Sequence, residues 1–465
     1  MAMRGAELGL DSLISVDLRS WFLKNFQVSI PVLKIMANDV QMSNLAHLVA
    51  EGIPAKLVPQ VKEDGRATTD GEGTSTASTP TASSTAEYQS ARSAATTPEQ
   101  GPSEKGDSTS HGIDWDAQAC PPEDIAELMD GIPPNPKPGV VVLTGSSGLL
   151  GHHLLNALLA QSSISKVICV AVRQLSERLE TNQLPPPSSR IVYHEGDLRL
   201  PRFGLSEEEE AVIFNKADAV IHNGSDTSHL KYYSALQEAN VESTHQLVRL
   251  CLPRKIPLHY ISSAGVALFA GLDAFPEISA TTTGVKPPAD GAHGYMCGKW
   301  VCESLLERVN AVYGLNIWIQ RPSTIVREGD DATAARAEFD WVNALLDYSH
   351  RIQAVPKVEH NKGAFDLVYV QSVCNDVVQE LLRNKPRQAS GVTYVNNVGD
   401  TIIPMNRLAE IGKQKGKKGL YQVLPMEEWA RKAIDAGLHP GVAALCEAFD
   451  EPEAPQYPAL LKAKP

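Results

Sequence analysis

Aromatic residues make up only 6% of this 465-residue chain, and its seven cysteines fall into no paired framework. A small disulfide-stapled scaffold is thereby excluded, and the cysteines read as reduced packing residues. Basic charge is also short: 42 Lys and Arg against 55 Asp and Glu give a net charge of −13, with no basic cluster among interleaved aromatics. Such a surface repels a polyphosphate backbone, which argues against a nucleic-acid partner. No stretch approaches the ~20 apolar residues that span a bilayer, and the sequence leads one to expect no signal peptide. The expectation is a soluble, cytoplasmic protein with no membrane partner. Metal-ligand spacing is likewise missing. Cys297 and Cys302 lack flanking His or Cys at zinc spacing, and His152 and His153 point in different directions on a helix, so no metal site is expected.

What is present is apolar material, 43% of the residues, enough for sizeable cores in a chain long enough for more than one domain. The apolar run Val140 to Leu143 enters Thr144-Gly145-Ser146-Ser147-Gly148-Leu149-Leu150-Gly151, and a helix-like segment follows from His152 to Ala160. A strand ending in a glycine turn offers backbone amides and a helix N-terminus to a pyrophosphate. Gly145 permits the turn, Gly148 close approach and Gly151 tight helix packing. Further strands are expected at Lys166 to Val172, Arg190 to His194, Ala217 to His222, Pro257 to Ser262 and Asn316 to Gln320, alternating with helical segments. That alternation predicts an α/β fold with a doubly wound parallel sheet. The acidic block Glu207 to Glu210 reads as the solvated start of one of those helices.

Tyr295 and Lys299 lie four apart at the start of a stretch whose apolar residues recur at helical spacing, so they share a face. A lysine ammonium there can lower the pKa of a phenol, ordinarily near ~10, and can also hold a ribose. Upstream, Leu258-His-Tyr-Ile-Ser-Ser-Ala-Gly-Val266 reads as a buried strand ending at Ser262 and Ser263, either of which can hydrogen-bond a substrate carbonyl.

In this order of motifs, residues 139 to about 330 resemble the extended short-chain dehydrogenase/reductase superfamily. The resemblance implies a catalytic set of Ser263, Tyr295 and Lys299, with Ser263 preferred because it lies three before Val266. It further implies cofactor contacts from Thr144, Gly145, Ser147, Gly148, Leu149 and Gly151. Gly196-Asp197-Leu198 fall on the adenine side, His222-Asn223-Gly224 after the fourth strand, then Asn240-Val241, and Arg321-Pro322-Ser323 near the nicotinamide. At the end of the second strand, where an acidic residue accepts the ribose hydroxyls of NAD, the chain has Arg173, with Arg178 as a second donor. A guanidinium there suits a 2′-phosphate, so NADPH is the expected cofactor.

At the amino end, Gly9-Leu-Asp-Ser-Leu13 precedes an amphipathic segment from Ile14 to Phe26 and then Ile30-Pro-Val-Leu-Lys-Ile-Met36. This resembles an acyl or peptidyl carrier domain, which implies phosphopantetheine on Ser12. Carrier domains place a helix and a long loop ahead of that serine, whereas eleven residues precede it here. The expectation is a partial carrier domain over residues 1–54, excised from a longer protein. Residues 55–118 read as a disordered linker: from Arg66 to Gly112 the composition is mostly Ser, Thr, Ala, Gly and Pro, with Tyr88 the one Phe, Trp or Tyr. Pro121 to Met129 reads as a short docking helix. The NADP-binding domain is expected over 119–330. A smaller, mainly helical substrate subdomain is expected over 331–465, with helices at Ala334 to Arg351 and Val373 to Arg383, a short strand from Phe365 to Val370, and a frayed tail from Pro452. Trp341, Leu345 and Tyr348 read as a core-packing stripe.

A carrier followed by an extended reductase resembles the terminal reductase domains of polyketide–peptide hybrid synthetases, nonribosomal peptide synthetases and carboxylic acid reductases. The resemblance implies a carrier-tethered acyl or peptidyl thioester, upstream assembly-line modules as partners, and NADPH-dependent release of an aldehyde or alcohol. A fungal subgroup performs non-reductive Dieckmann ring closure on the same fold. That alternative stays open, as does another extended reductase or epimerase.

Overall fold

The computed structural model describes residues 12–28, 30, 34–35, 42–54, 112–123, 131–229, 231–282, 285–327, 340–387, 391–399, 401–411, 420–450 and 458–462. Near the amino end, α1 (Ser12–Phe26) and α2 (Met42–Gly52) enclose a small apolar core that includes Phe22, Val28, Leu45 and Val49. Ser12 opens α1, while residues 1–11, with Gly9 and Asp11 of the attachment motif, lie outside the described residues. So do residues 55–111 of the expected linker and 124–130 of the expected docking helix. Packing against the main body is already established at Trp115. Its indole N–H donates to Pro287 O at 3.0 Å and its ring meets Tyr233 edge-on at 4.9 Å.

From Val140 onward strands and helices alternate: β1 (Val140–Thr144), α3 (Leu149–Leu159), β2 (Lys166–Val172), α4 (Leu175–Glu180), β3 (Ile191–Glu195), α5 (Glu207–Lys216) and β4 (Ala219–His222). Then α6 (Tyr233–Gln237) runs through a π-turn into α7 (Ser243–Cys251), followed by β5 (Leu258–Ile261), β6 (Ala274–Phe275), α8 (Gly294–Tyr313) and β7 (Ile317–Pro322). The remaining elements are β8 (Thr324–Val326), α9 (Trp341–Ile352), β9 (Ala354–Pro356), β10 (Ala364–Tyr369), α10 (Val370–Arg383) and β11 (Val392–Asn397). After them come β12 (Thr401–Pro404), β13 (Gln422–Leu424), α11 (Met426–Asp435), α12 (Pro440–Ala448) and β14 (Ala459–Leu460).

The main sheet has the order β11-β7-β5-β4-β1-β2-β3 and every pairing in it is parallel. Strand order reverses between β1 and β4, and the crevice beyond their carboxyl ends is where such sheets bind ligands. The strands are buried on both faces, which is why Val141 to Leu143 and Ala219 to Ile221 are continuous apolar runs. One covering helix, α5, begins with a reciprocal capping box between Ser206 and Glu209, a device that secures a helix start by roughly 1 kcal/mol.

The last strand of this sheet comes from beyond residue 330. β11 pairs with β7, and α10 lays Val373, Val377 and Leu381 against Leu154, Leu155 and Leu158 of α3. What remains is a smaller part built from β8, β10 and β12, the β9–β13 pair, and α9, α11 and α12 around the buried Trp429. The indole of Trp429 donates to Ser349 Oγ at 3.1 Å. α12 also carries Glu447, which forms an ion pair with Arg19 of α1.

The expected frayed tail is corrected for residues 458–462. β14 pairs in parallel with β6, Leu461 N donates to Phe275 O at 2.9 Å, and Asn396 Nδ2 donates to Leu461 O at 2.9 Å. Lys462 adds an ion pair to Asp376 at 3.0 Å. Two strand residues carry too little periodicity to be seen in the sequence, and the partners that hold them lie far away in the chain.

Candidate active site

A cleft of about 1660 Å³ opens beyond the carboxyl ends of β1, β4 and β5. The turn after β1 forms one wall. Gly145 has φ +67°, and a β-carbon on it would fall 2.7 Å from Gly224 Cα. A β-carbon on Gly151 would fall 1.9 Å from Gly145 O, so the first turn of α3 rests directly on the glycine turn. Gly148 lines the cleft, where a β-carbon on it would stand 3.6 Å from Gly145 O, and Ser147 and Leu149 also line the cleft. Thr144 lies behind this wall. It is buried, its hydroxyl accepts from Gly224 N at 2.9 Å and bonds His222 Nδ1 at 2.8 Å, and it thereby ties β1 to β4. Asn223 lines the cleft, and its amide donates to Gly145 O at 3.0 Å, bracing the turn.

On the β2 side the cleft meets Arg173, Arg178, Asp197 and Leu198. Arg173 is well exposed and stands 3.9 Å from Asp197, while Arg178 is braced by Nε donation to Arg173 O at 2.9 Å. Arg199, not singled out in the sequence, grips both oxygens of Asp197 at 3.0 and 3.2 Å and holds that carboxyl below its usual range. Asp197 thus faces the guanidinium groups of Arg199 and Arg173, with Arg178 on the same wall, and guanidinium groups so placed suit an anionic group.

On the β5 side the strand end separates the two serines. Ser262 turns inward and donates to Glu303 Oε1 at 2.5 Å. Ser263 faces the cleft, where its hydroxyl accepts from Gly265 N at 3.0 Å and stands beside the Tyr295 phenol. Tyr295 and Lys299 share one face of α8. Its start lies so close to the chain at Tyr232 that a β-carbon on Gly294 would fall 2.3 Å from the Tyr232 carbonyl carbon. Lys299 is buried, donates to Ile261 O at 2.7 Å, and stands 5.6 Å from the Tyr295 ring centre and 4.8 Å from that of Tyr260.

The expected lowering of the Tyr295 pKa is corrected. Burial dominates and pushes the phenol up, against the pull of the Ser263 hydroxyl, so Tyr295 is a neutral donor at pH 7. Burial also brings the Lys299 ammonium down to about 8, against the opposing fields of Cys302 and Glu303.

Behind these residues, Arg321 and Glu303 form a bidentate ion pair at 3.0 and 2.6 Å with neither side chain exposed. The guanidinium also donates to Ile278 O at 2.7 Å and lies 4.7 Å from the ring centres of Phe275 and Tyr394. Arg321 is therefore a support, while Pro322 and Ser323 reach the cleft. Cys297 and Cys302 are buried and make weak bonds to the carbonyls of Ala292 and Asn240, and no group of metal-ligating residues occurs among the described residues. His229 lines the cleft beside Tyr295, and nothing in its sequence spacing signals that position.

The smaller part closes the cleft with Trp341, Phe365, Met405 and Phe449. The expected stripe packs as read, with Leu345 buried in the core and Trp341 and Tyr348 against it; Trp341, whose ring packs on Phe449 at 4.8 Å, also reaches the cleft.

Residues 143–377, half of the chain, match the NAD-binding family described as male sterility protein, and the chain belongs to that family. Within it the architecture is that of terminal R domains. The chain covers 89% of the terminal R domain from the myxalamid PKS-NRPS pathway with 75% of its own length, at 25% identity and a TM-score of 0.59. Over its whole length it is 59% identical to the highly reducing polyketide synthase bet1 of Neocamarosporium betae, of which it spans 16%. Over 75% of its length it is 35% identical to the polyketide synthase–nonribosomal peptide synthetase ACE1 of Pyricularia oryzae, of which it spans 9%. The chain is thus similar to a part of much longer synthases. No helix among the described residues is long and apolar enough to cross a membrane.

Proposed function

We propose that this chain performs NADPH-dependent reductive release of a carrier-bound acyl thioester as an aldehyde. The observation that carries the reading is the convergence of Ser263, Tyr295 and Lys299 on the cleft that the glycine turn also lines. The cofactor fits on steric grounds, since Gly148 leaves room for a pyrophosphate and Gly145 and Gly151 admit no larger residue. Arg173, Arg178 and Arg199 would take the 2′-phosphate, and Lys299 the nicotinamide ribose. A bound NADPH supplies the hydride.

The chain's own residues then act on the thioester. Ser263 and Tyr295 orient its carbonyl oxygen by hydrogen bonding. As hydride reaches the carbonyl carbon, the C=O π pair moves to oxygen and Tyr295 gives that oxygen its proton. Loss of the hydroxyl proton and cleavage of the C–S bond then re-form C=O and release the pantetheine thiol. The apolar wall of Trp341, Met405 and Phe449 suits a polyketide chain better than a charged aminoacyl group, in keeping with the names of the most extensively matched relatives. Ser12, at the head of α1, is the proposed phosphopantetheine attachment point, and the upstream modules of a synthase are the proposed partners.

The test is incubation of the full chain with NADPH and a ketoacyl or alkanoyl pantetheine thioester, following cofactor absorbance and product mass together. One NADPH consumed per aldehyde, or two per alcohol, supports reductive release. A cyclised product with NADPH untouched overturns it in favour of Dieckmann closure.

A further inference from the structure

We propose that His229 contacts the substrate, donating a ring N–H hydrogen bond to the carbonyl oxygen under reduction; this rests on the function proposed above. Its imidazole stands edge-on to Tyr295, with ring centres 5.0 Å apart and planes at 63°, and it lines the same cleft as Ser263. The loop that carries it is fixed by other residues. Asp226 N donates to Asn240 Oδ1 at 2.7 Å, Asn240 Nδ2 returns to Asp226 O at 2.9 Å, and the Asp226 carboxylate takes Lys231 Nζ at 2.9 Å and Ser228 N at 3.1 Å.

No hydrogen bond to the ring occurs among the described residues, and the side chain is part-exposed on the cleft, so its nitrogens are open to a ligand there. Other histidines of the site are spent internally: His222 bonds Thr144 and Thr244. Burial brings the His229 pKa down to about 4, so the ring is neutral at pH 7 and offers one N–H donor and one lone pair. A neutral donor beside Tyr295 strengthens its bond as charge builds on the oxygen, and unlike an imidazolium it needs no counter-ion in a buried cleft.

Three variants of the full chain test this: His229→Asn, His229→Gln and His229→Phe. Each is assayed for kcat and KM with an acyl pantetheine thioester and for NADPH affinity by cofactor fluorescence. Removing one preorganised donor lowers kcat by ~10²-fold or more. The Phe variant is expected to lose about that much. The Asn or Gln variant, which keeps an N–H, should recover to within about tenfold of the wild type, and NADPH affinity should hold within about twofold in all three. Wild-type kcat in the Phe variant overturns the proposal. Losses in Asn and Gln as large as in Phe also overturn it, and assign the ring to shape or to proton abstraction. A wild-type chain that binds NADPH but oxidises none with the thioester removes the function on which the proposal rests. That outcome is separate from any ratio among the variants.

Discussion

Glu303→Leu removes the carboxylate that pairs with Arg321 at 2.6 and 3.0 Å in a region where neither side chain is exposed. The guanidinium would keep Ile278 O and the faces of Phe275 and Tyr394, but would lose the carboxylate that forms its ion pair. Stranding one partner of a buried pair costs ~3–5 kcal/mol. Ser262 would also lose its acceptor, which adds ~1 kcal/mol. The expected loss is therefore about 4–6 kcal/mol. Arg321→Met should cost ~3–5 kcal/mol by the same reasoning, whereas the double variant, with no charge left to strand, should cost much less than the sum. Urea denaturation followed by circular dichroism gives all four values, and cofactor binding checks that the folded variants keep the cleft. Single losses under about 1 kcal/mol, or a double equal to the sum of the singles, would refute the claim that this pair is electrostatically closed off from water.

Tyr295→Phe should lower kcat by ~10²–10⁴-fold with NADPH still bound, and unchanged turnover in a steady-state assay would remove the phenol from the chemistry. Burial brings the Lys299 ammonium down from the usual 10.5 to about 8, so it is intact below pH 8 and lost above. kcat/KM for NADPH should accordingly decline above about pH 8, and Lys299→Arg should abolish that limb. By linkage the same burial lowers stability as pH falls from 10.5 to about 8 and leaves it constant below, which pH-dependent denaturation midpoints would register. Arg173→Ala should raise KM for NADPH by ~10-fold, about 1.4 kcal/mol, and leave KM for NADH nearly unchanged; equal effects on both would reject the phosphate contact.

The inner strands of the main sheet were legible because β1, β4 and β5 are buried on both faces, so apolar residues dominate each until a glycine or serine turn ends it. Tyr295 and Lys299 were legible for a different reason: a four-residue spacing on a helix fixes a shared face whatever the tertiary context. Choosing between Ser262 and Ser263 was harder. Both end the same strand, and what divides them is Glu303, forty residues on, which accepts from Ser262 and leaves Ser263 to the cleft. Trp341 shares its helical stripe with Leu345, and periodicity does not show that one edge of the stripe faces a cavity. β11 escaped notice because Thr393, Asn396 and Asn397 interrupt its apolar run, although all three are buried. Thr144 shows the opposite limit. Its place in the glycine run suggested a cofactor contact, but its hydroxyl is consumed in joining β1 to β4.

The attachment of β14 to β6 decides which part of the fold one side of the cleft belongs to. Pro458, Ala459 and Leu460 form part of its wall, and they are held by Ala459 N donating to Asp273 O and, through the next residue Leu461, by Phe275 O and the Asn396 amide, on and beside the main sheet. That stretch of wall is therefore tied to β6 and, through Asn396, to β11 beside the strand that carries Arg321 and Pro322, and not to the smaller part that supplies Trp341 and Phe449. An acyl chain lying along it is ranged against the same sheet that presents Ser263.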